Sequence, residues 1–203
     1  MEILKLIMTD MDKEIVMNKY KLIALFGESG AGKDTIQQWM VSYLPNTKGI
    51  VSYTTRPKRD YEVEGKDYHF LTNEEFAIKV LDGTMLEATS FNDWFYGTAI
   101  DELDIEKINI GVFNINGIEC LLEDSRIDII PVYVAVSDKT RLIRALNREA
   151  NPNCEEICRR FQADKKDFSL LDFNFHIIKN EGAPIHGDAI KQQCAQDLLT
   201  LFD

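Results

Sequence analysis

The chain is short of cysteine, of basic charge and of long apolar runs, and each shortage excludes a class of protein. Its four cysteines, Cys120, Cys154, Cys158 and Cys194, form no tight framework in 203 residues. That excludes a disulfide-stapled module and implies reduced thiols in a cytoplasmic setting. Cys154 and Cys158 have no histidine beside them, so their spacing suits one helical face better than a zinc site. Basic residues number 23 against 34 acidic ones, a formal net charge of −11, which argues against broad binding of nucleic acid or of an anionic membrane. No run is long and apolar enough to cross a bilayer, and Met1 to Met8, interrupted by Glu2 and Lys5, reads as neither leader nor span. Internal repeats and low-complexity tracts are also missing. What is present, 45% apolar and 28% charged residues, is the composition of a compact soluble protein. Any phosphate bound by so acidic a chain needs a local basic pocket.

Patterning predicts alternating strands and helices. Lys21 to Phe26 is an apolar run without helical period, stopped by Gly27, and reads as a buried parallel strand. Asp34 to Leu44 then places Ile36, Trp39, Met40 and Tyr43 at helical spacing. Further strands are expected at Ile108 to Ile115, Ile129 to Val136 and, more weakly patterned, Phe173 to Ile178, with helices between them and a last helix from Asp188 to Leu199. This order implies a parallel sheet covered on both faces. Between Ser52 and Thr98 the pattern changes to arginine, lysine, glycine and aromatic residues around one short helix, Asn73 to Leu81, as in an inserted β-rich subdomain. Thr140 to Asn147 and Cys154 to Phe168 form a broken, arginine-flanked helical pair suited to a lid. Residues 1–18 read as an extension before the first strand, with Met17 as an alternative start.

The informative junction is Gly27-Glu28-Ser29-Gly30-Ala31-Gly32-Lys33, between strand and helix. Gly-x4-Gly-Lys in that setting turns backbone N–H groups and a helix N-terminus toward an anion and adds a lysine for the β- and γ-phosphates of a nucleotide. Asp34 occupies the position where the motif asks for a Mg²⁺-ligating hydroxyl, and Thr35 follows it. Asp34 is either a carboxylate ligand for Mg²⁺ or an acid stabilised by the helix dipole.

A second signature runs Val51-Ser52-Tyr53-Thr54-Thr55-Arg56-Pro57-Lys58-Arg59, followed by Glu62-Val63-Glu64-Gly65-Lys66-Asp67-Tyr68-His69-Phe70. Taken with the glycine loop, it makes the chain, from about Tyr20 to Asn180, resemble guanylate kinase. Read by chemistry alone, Arg56 and Arg59 beside two hydroxyl residues can clamp a phosphate dianion, with a phenol from Tyr68.

The resemblance implies a P-loop NTPase α/β fold of three layers, with core 19–51, 99–139 and 170–203, a GMP-binding subdomain 52–98 and a lid 140–169. It implies ATP as phosphate donor at Gly27 to Thr35, with Mg²⁺, and GMP or dGMP as acceptor. Arg56, Arg59, Tyr68 and Tyr96 are then expected on the GMP phosphate, and Glu87, flanked by Ser52 and Thr98, on guanine. A carboxylate can accept from guanine N1–H and the 2-amino group, whereas adenine offers an acceptor at N1. Read without the resemblance, Glu87 is a solvated group on a strand edge. Arg144 and Arg148 on the first lid helix and Arg160 on the second are expected over the phosphates, with Arg159 in place of Arg160 if the register shifts by one. The helical spacing of Arg141, Arg144 and Arg148 equally suits a solvated basic face. Asn180 matches a position near adenine, or caps a turn. Where the family carries an Asp-hydrophobic-Asp pair, this chain has Asn114-Ile115-Asn116, and Asp34 is expected to supply the missing carboxylate. Two other readings stay open: another phosphate-acceptor kinase on this scaffold, and a non-catalytic module that binds a phosphorylated partner.

Overall fold

The computed structural model describes residues 19–60, 62–91, 93–148, 150–181 and 189–202. The expected extension 1–18 and the start of the last helix at Asp188 lie outside them. Strand β1 (Tyr20–Phe26) is the centre of the larger sheet. Ile23 and Leu25 point to one face and Leu22, Ala24 and Phe26 to the other, all fully buried, as a strand covered on both sides requires.

After β1 come α1 (Lys33–Tyr43), β2 (Thr47–Gly49), β3 (Tyr53–Thr54), β4 (His69–Phe70), α2 (Asn73–Leu81), β5 (Met85–Phe91) and β6 (Trp94–Ala99). Then follow β7 (Ile108–Val112), α3 (Ile115–Glu123), β8 (Ile127–Ala135), α4 (Asp138–Leu146), α5 (Cys154–Asp167), β9 (His176–Lys179) and α6 (Ala189–Thr200). The larger sheet has the order β2-β7-β1-β8-β9, every pairing parallel. Ile36, Trp39 and Met40 of α1 pack on one face with Ala195 and Leu198 of α6, and Ile118 and Leu121 of α3 pack on the other. The result is the expected three-layer α/β arrangement.

The segment between β2 and β7 builds a second sheet, β4-β3-β6-β5, with its own small core of Tyr53, Phe76 and Ala99. Helix α2 starts and stops where the sequence predicts; Thr72 and Glu75 form a reciprocal capping box at its start, and the Asp82 N–H closes its last turn on the Ile78 and Val80 carbonyls. Two strand expectations fail at their bounds. The apolar run from Ile108 does not stay extended to Ile115: the strand ends at Val112, and Asn114 caps a helix by accepting a hydrogen bond from the Gly117 N–H at 2.7 Å. Asn114 and Asn116 therefore sit at the start of α3 and not on the strand. The last strand is shorter than expected and shifted, beginning at His176.

Candidate active site

The turn from β1 into α1 wraps a loop of backbone donors. Gly30 and Gly32 have φ of +82° and +85°, and a β-carbon on either would come within 2.7 Å of the Arg141 carbonyl or the Asn180 amide. Only glycine meets both demands. The Lys33 ammonium folds back to donate to the carbonyls of Gly27 (2.8 Å) and Glu28 (3.3 Å). Burial lowers its pKa, against the opposing charges of Asp34, Asp164 and Glu28. The Glu28 side chain leaves the loop and accepts from the Tyr133 hydroxyl at 2.6 Å. Asn180 lies behind the loop, its amide donating to the Ala31 carbonyl at 2.7 Å. This buried asparagine holds the loop's shape.

A cavity of about 520 Å³ opens in front of the loop. Ser29, Gly30, Gly32, Lys33, Asp34 and Thr35 line it from below, and Arg144, Arg148 and Arg160 from the helical pair α4 and α5. Arg59 reaches the same cavity from the second sheet's side. Arg144 donates to the carbonyls of Ala31 (3.2 Å) and Asn180 (2.9 Å), so it ties α4 to the loop. Arg160 pairs with Glu156 at 2.6 Å. Arg159 pairs with the same carboxylate but is absent from the lining, which favours the Arg160 register.

The remaining expected residues gather on the second sheet. Arg56 is buried and donates to Glu62 at 2.6 Å, with its guanidinium over the rings of Tyr68 and Phe70. The Tyr96 hydroxyl lies near Arg56, and the Tyr68 and Tyr96 rings meet edge to face. These contacts raise the Arg56 pKa and lower that of Glu62. Burial pushes the Tyr68 phenol up, with a further push from the Asp34 charge, so Tyr68 feels the loop.

Glu87 follows a register shift between Met85 and Glu87 on β5, opposite Thr98 on β6. Such irregularities re-aim side chains. The Thr98 hydroxyl and backbone lie beside the carboxyl and favour its ionised form, and the Ser52 hydroxyl lies 3.4 Å from that of Thr98. Among the described residues no cation answers the charge, and burial pushes Glu87 up to about 7. A β-carbon on Gly117 would come within 3.2 Å of Glu87 Oε2, and Asn114 donates to Thr89 at 3.0 Å. The start of α3 thus closes the Glu87 site.

The sequence pattern missed one residue. Arg141 is only 1% exposed, although its spacing suits an exposed basic face. The nearby signal is Asp138, three positions earlier, which accepts from Arg141 Nε at 3.1 Å.

As for metal, no three His, Cys, Asp or Glu side chains cluster among the described residues. Asp34 and Thr35 are exposed on the cavity wall. Magnesium takes one or two protein oxygens together with substrate phosphates and water, and this donor set fits that requirement.

Comparison with known proteins gives the same outline. The guanylate kinase family model matches residues 19–186. The guanylate kinase of Rhodopseudomonas palustris strain HaA2 is 30% identical over 174 residues, 84% of this chain and 79% of that protein. That of Streptococcus agalactiae serotype III is 30% identical over 177 residues, 84% of each. The crystal structure of guanylate kinase from Anaplasma phagocytophilum shares the fold, with a TM-score of 0.61 at 19% identity over 91% of this chain and 85% of that one.

Proposed function

The chain belongs to the guanylate kinase family, and from that premise we propose that it transfers the γ-phosphoryl group of ATP to GMP, and to dGMP as well, by the residues described above. The observation that carries the assignment is the shared cavity: Arg59 from the second sheet's side lines the same space as Lys33 and the arginines of α4 and α5. A donor on the loop and an acceptor on the second sheet would therefore meet across one space.

Phosphoryl transfer needs alignment and charge neutralisation more than covalent help. The loop N–H groups and Lys33 seat the donor phosphates. Arg56, Arg59, Tyr68 and Tyr96 hold the acceptor phosphate, and Arg144, Arg148 and Arg160 cover the group in transit. Glu87, with Ser52 and Thr98, reads guanine, and Asn114 supports that site through Thr89 and Gly117. Adenine would leave the carboxylate facing an acceptor, and a buried mismatch of that kind discriminates strongly. Asp34 and Thr35 would hold Mg²⁺, whose charge offsets that of the donor phosphates. Asn180 acts from behind the loop on its shape. The helical pair and the second sheet close toward the loop when both nucleotides bind, which excludes water.

A coupled assay of ADP release offering GMP, dGMP, AMP, UMP and CMP tests this reading. Turnover with GMP and dGMP alone is expected. Turnover with a different acceptor would make this another kinase, and none with any acceptor would leave a phosphate-binding module.

A further inference from the structure

We propose that Arg141 is a further donor-phosphate residue and that Asp164, on α5, is the anion it exchanges for that phosphate. The inference rests on reading the Gly27–Lys33 loop as the seat of the donor. Asp164 Oδ2 accepts from the Ser29 N–H at 2.9 Å and from Arg141 Nη1 at 3.0 Å. The carboxylate thus sits on one of the loop's own anion-binding donors, where a phosphate oxygen would otherwise sit. A single N–H cannot serve a carboxylate and a phosphate fully at once, and two anions beside one another repel. Donor binding therefore displaces Asp164 from Ser29.

The displacement leaves Arg141 ready. Its guanidinium carbon lies 3.9 Å from the centre of the Phe161 ring, and Asp138 holds Nε at 3.1 Å, so the plane is fixed. Nη2 is buried with no hydrogen-bond partner among the described residues, although Arg141 lines the cavity. A buried guanidinium N–H without an acceptor is costly. An incoming phosphate oxygen removes that cost and replaces the carboxylate at Nη1. Its backbone is already seated, because the Arg141 carbonyl packs against Gly30.

The exchange predicts opposite signs for two mild substitutions. Calorimetric titration with the non-hydrolysable analogue adenylyl imidodiphosphate and Mg²⁺, and separately with GMP, compares wild type, Asp164→Asn and Arg141→Lys. Asparagine keeps an acceptor for Ser29 without the charge, so donor binding should tighten by about 3- to 10-fold. Lysine loses the stacked fork, so donor binding should weaken by about 10-fold. GMP binding should stay within about twofold in both, since a charge-assisted contact acts where it is made. A merely structural pair would weaken donor binding in both variants, or leave it unchanged, and either result overturns the proposal. If thermal melting shows that Arg141→Lys does not fold, the direction of the Asp164→Asn change decides alone. Failure of wild type to bind the analogue would overturn the reading of the loop and this inference with it; wild-type binding with the wrong signs overturns only this inference.

Discussion

Around the glycine loop, Lys33 and Arg144 bring positive charge to the cavity, whereas on the second sheet the charge of Arg56 is answered by a carboxylate from within the protein. Lys33 and Arg144 rest on backbone carbonyls, neutral partners that an anion can outcompete. Arg56 is instead paired with Glu62, the two side chains 7% and 6% exposed, and Glu87 lies beside Thr98 with no cation among the described residues. In the proposed roles, the loop side neutralises whatever polyphosphate arrives, and the sheet side presents fixed acceptors and donors that fit one nucleotide. Catalysis and selectivity therefore draw on different regions, and substitutions should separate them.

The largest effect should come from Lys33→Met. Removing a preorganised charge from the transferring group costs about 100- to 1,000-fold in turnover. Steady-state kinetics should show that loss in kcat with little change in the KM for GMP. An equal loss in both would erase the distinction between the regions.

Arg56→Ala should act on the other side. The KM for GMP should rise by about 10- to 100-fold, the worth of a charge-assisted contact to phosphate. Stability should also fall, because Glu62 loses its 2.6 Å partner and keeps only the Arg59 contacts, the backbone N–H at 2.8 Å and the guanidinium at 3.9 Å. Denaturant unfolding of Arg56→Met with Glu62→Gln sharpens the contrast: stability should return while the KM stays high. Recovery of both would mean that Arg56 serves the fold alone.

The two regions also differ in how far the sequence reveals them. Strand β1, its glycine loop and helix α1 are legible because an uninterrupted apolar run, a glycine-spaced turn and a helical repeat each have a local cause. Helix α2 falls at the predicted Asn73–Leu81, and the local capping box of Thr72 and Glu75 fixes its start. The end of β7 is not, because apolar residues continue past Val112 and only the Asn114 side chain, bonding forward to Gly117, decides where the strand stops. The burial of Arg141 is equally hidden. It depends on Phe161 and Asp164, which lie on a different helix, and helical spacing on α4 cannot report it. The part Asn180 plays under the loop is likewise a matter of tertiary contact. The likeness to guanylate kinases supplies the expected site residues, and the structure brings them to a cavity and a sheet that local pattern would not have joined.

Glu87 offers the most direct test of the central claim that this carboxylate reads guanine. With burial pushing it to about 7, it is mostly protonated at pH 6, yet only the ionised form can accept from both guanine donors. GMP binding at pH 6 must therefore expel the proton, and affinity should rise with pH and level off above about 7. The phosphate of GMP also titrates near pH 6, so the informative quantity is the difference between wild type and Glu87→Gln. Calorimetry of GMP binding at pH 6 in buffers of different ionisation enthalpy gives that difference. Wild type should release more protons than Glu87→Gln, the excess coming from a group that burial raises to about 7; equal proton release by the two proteins would contradict the account.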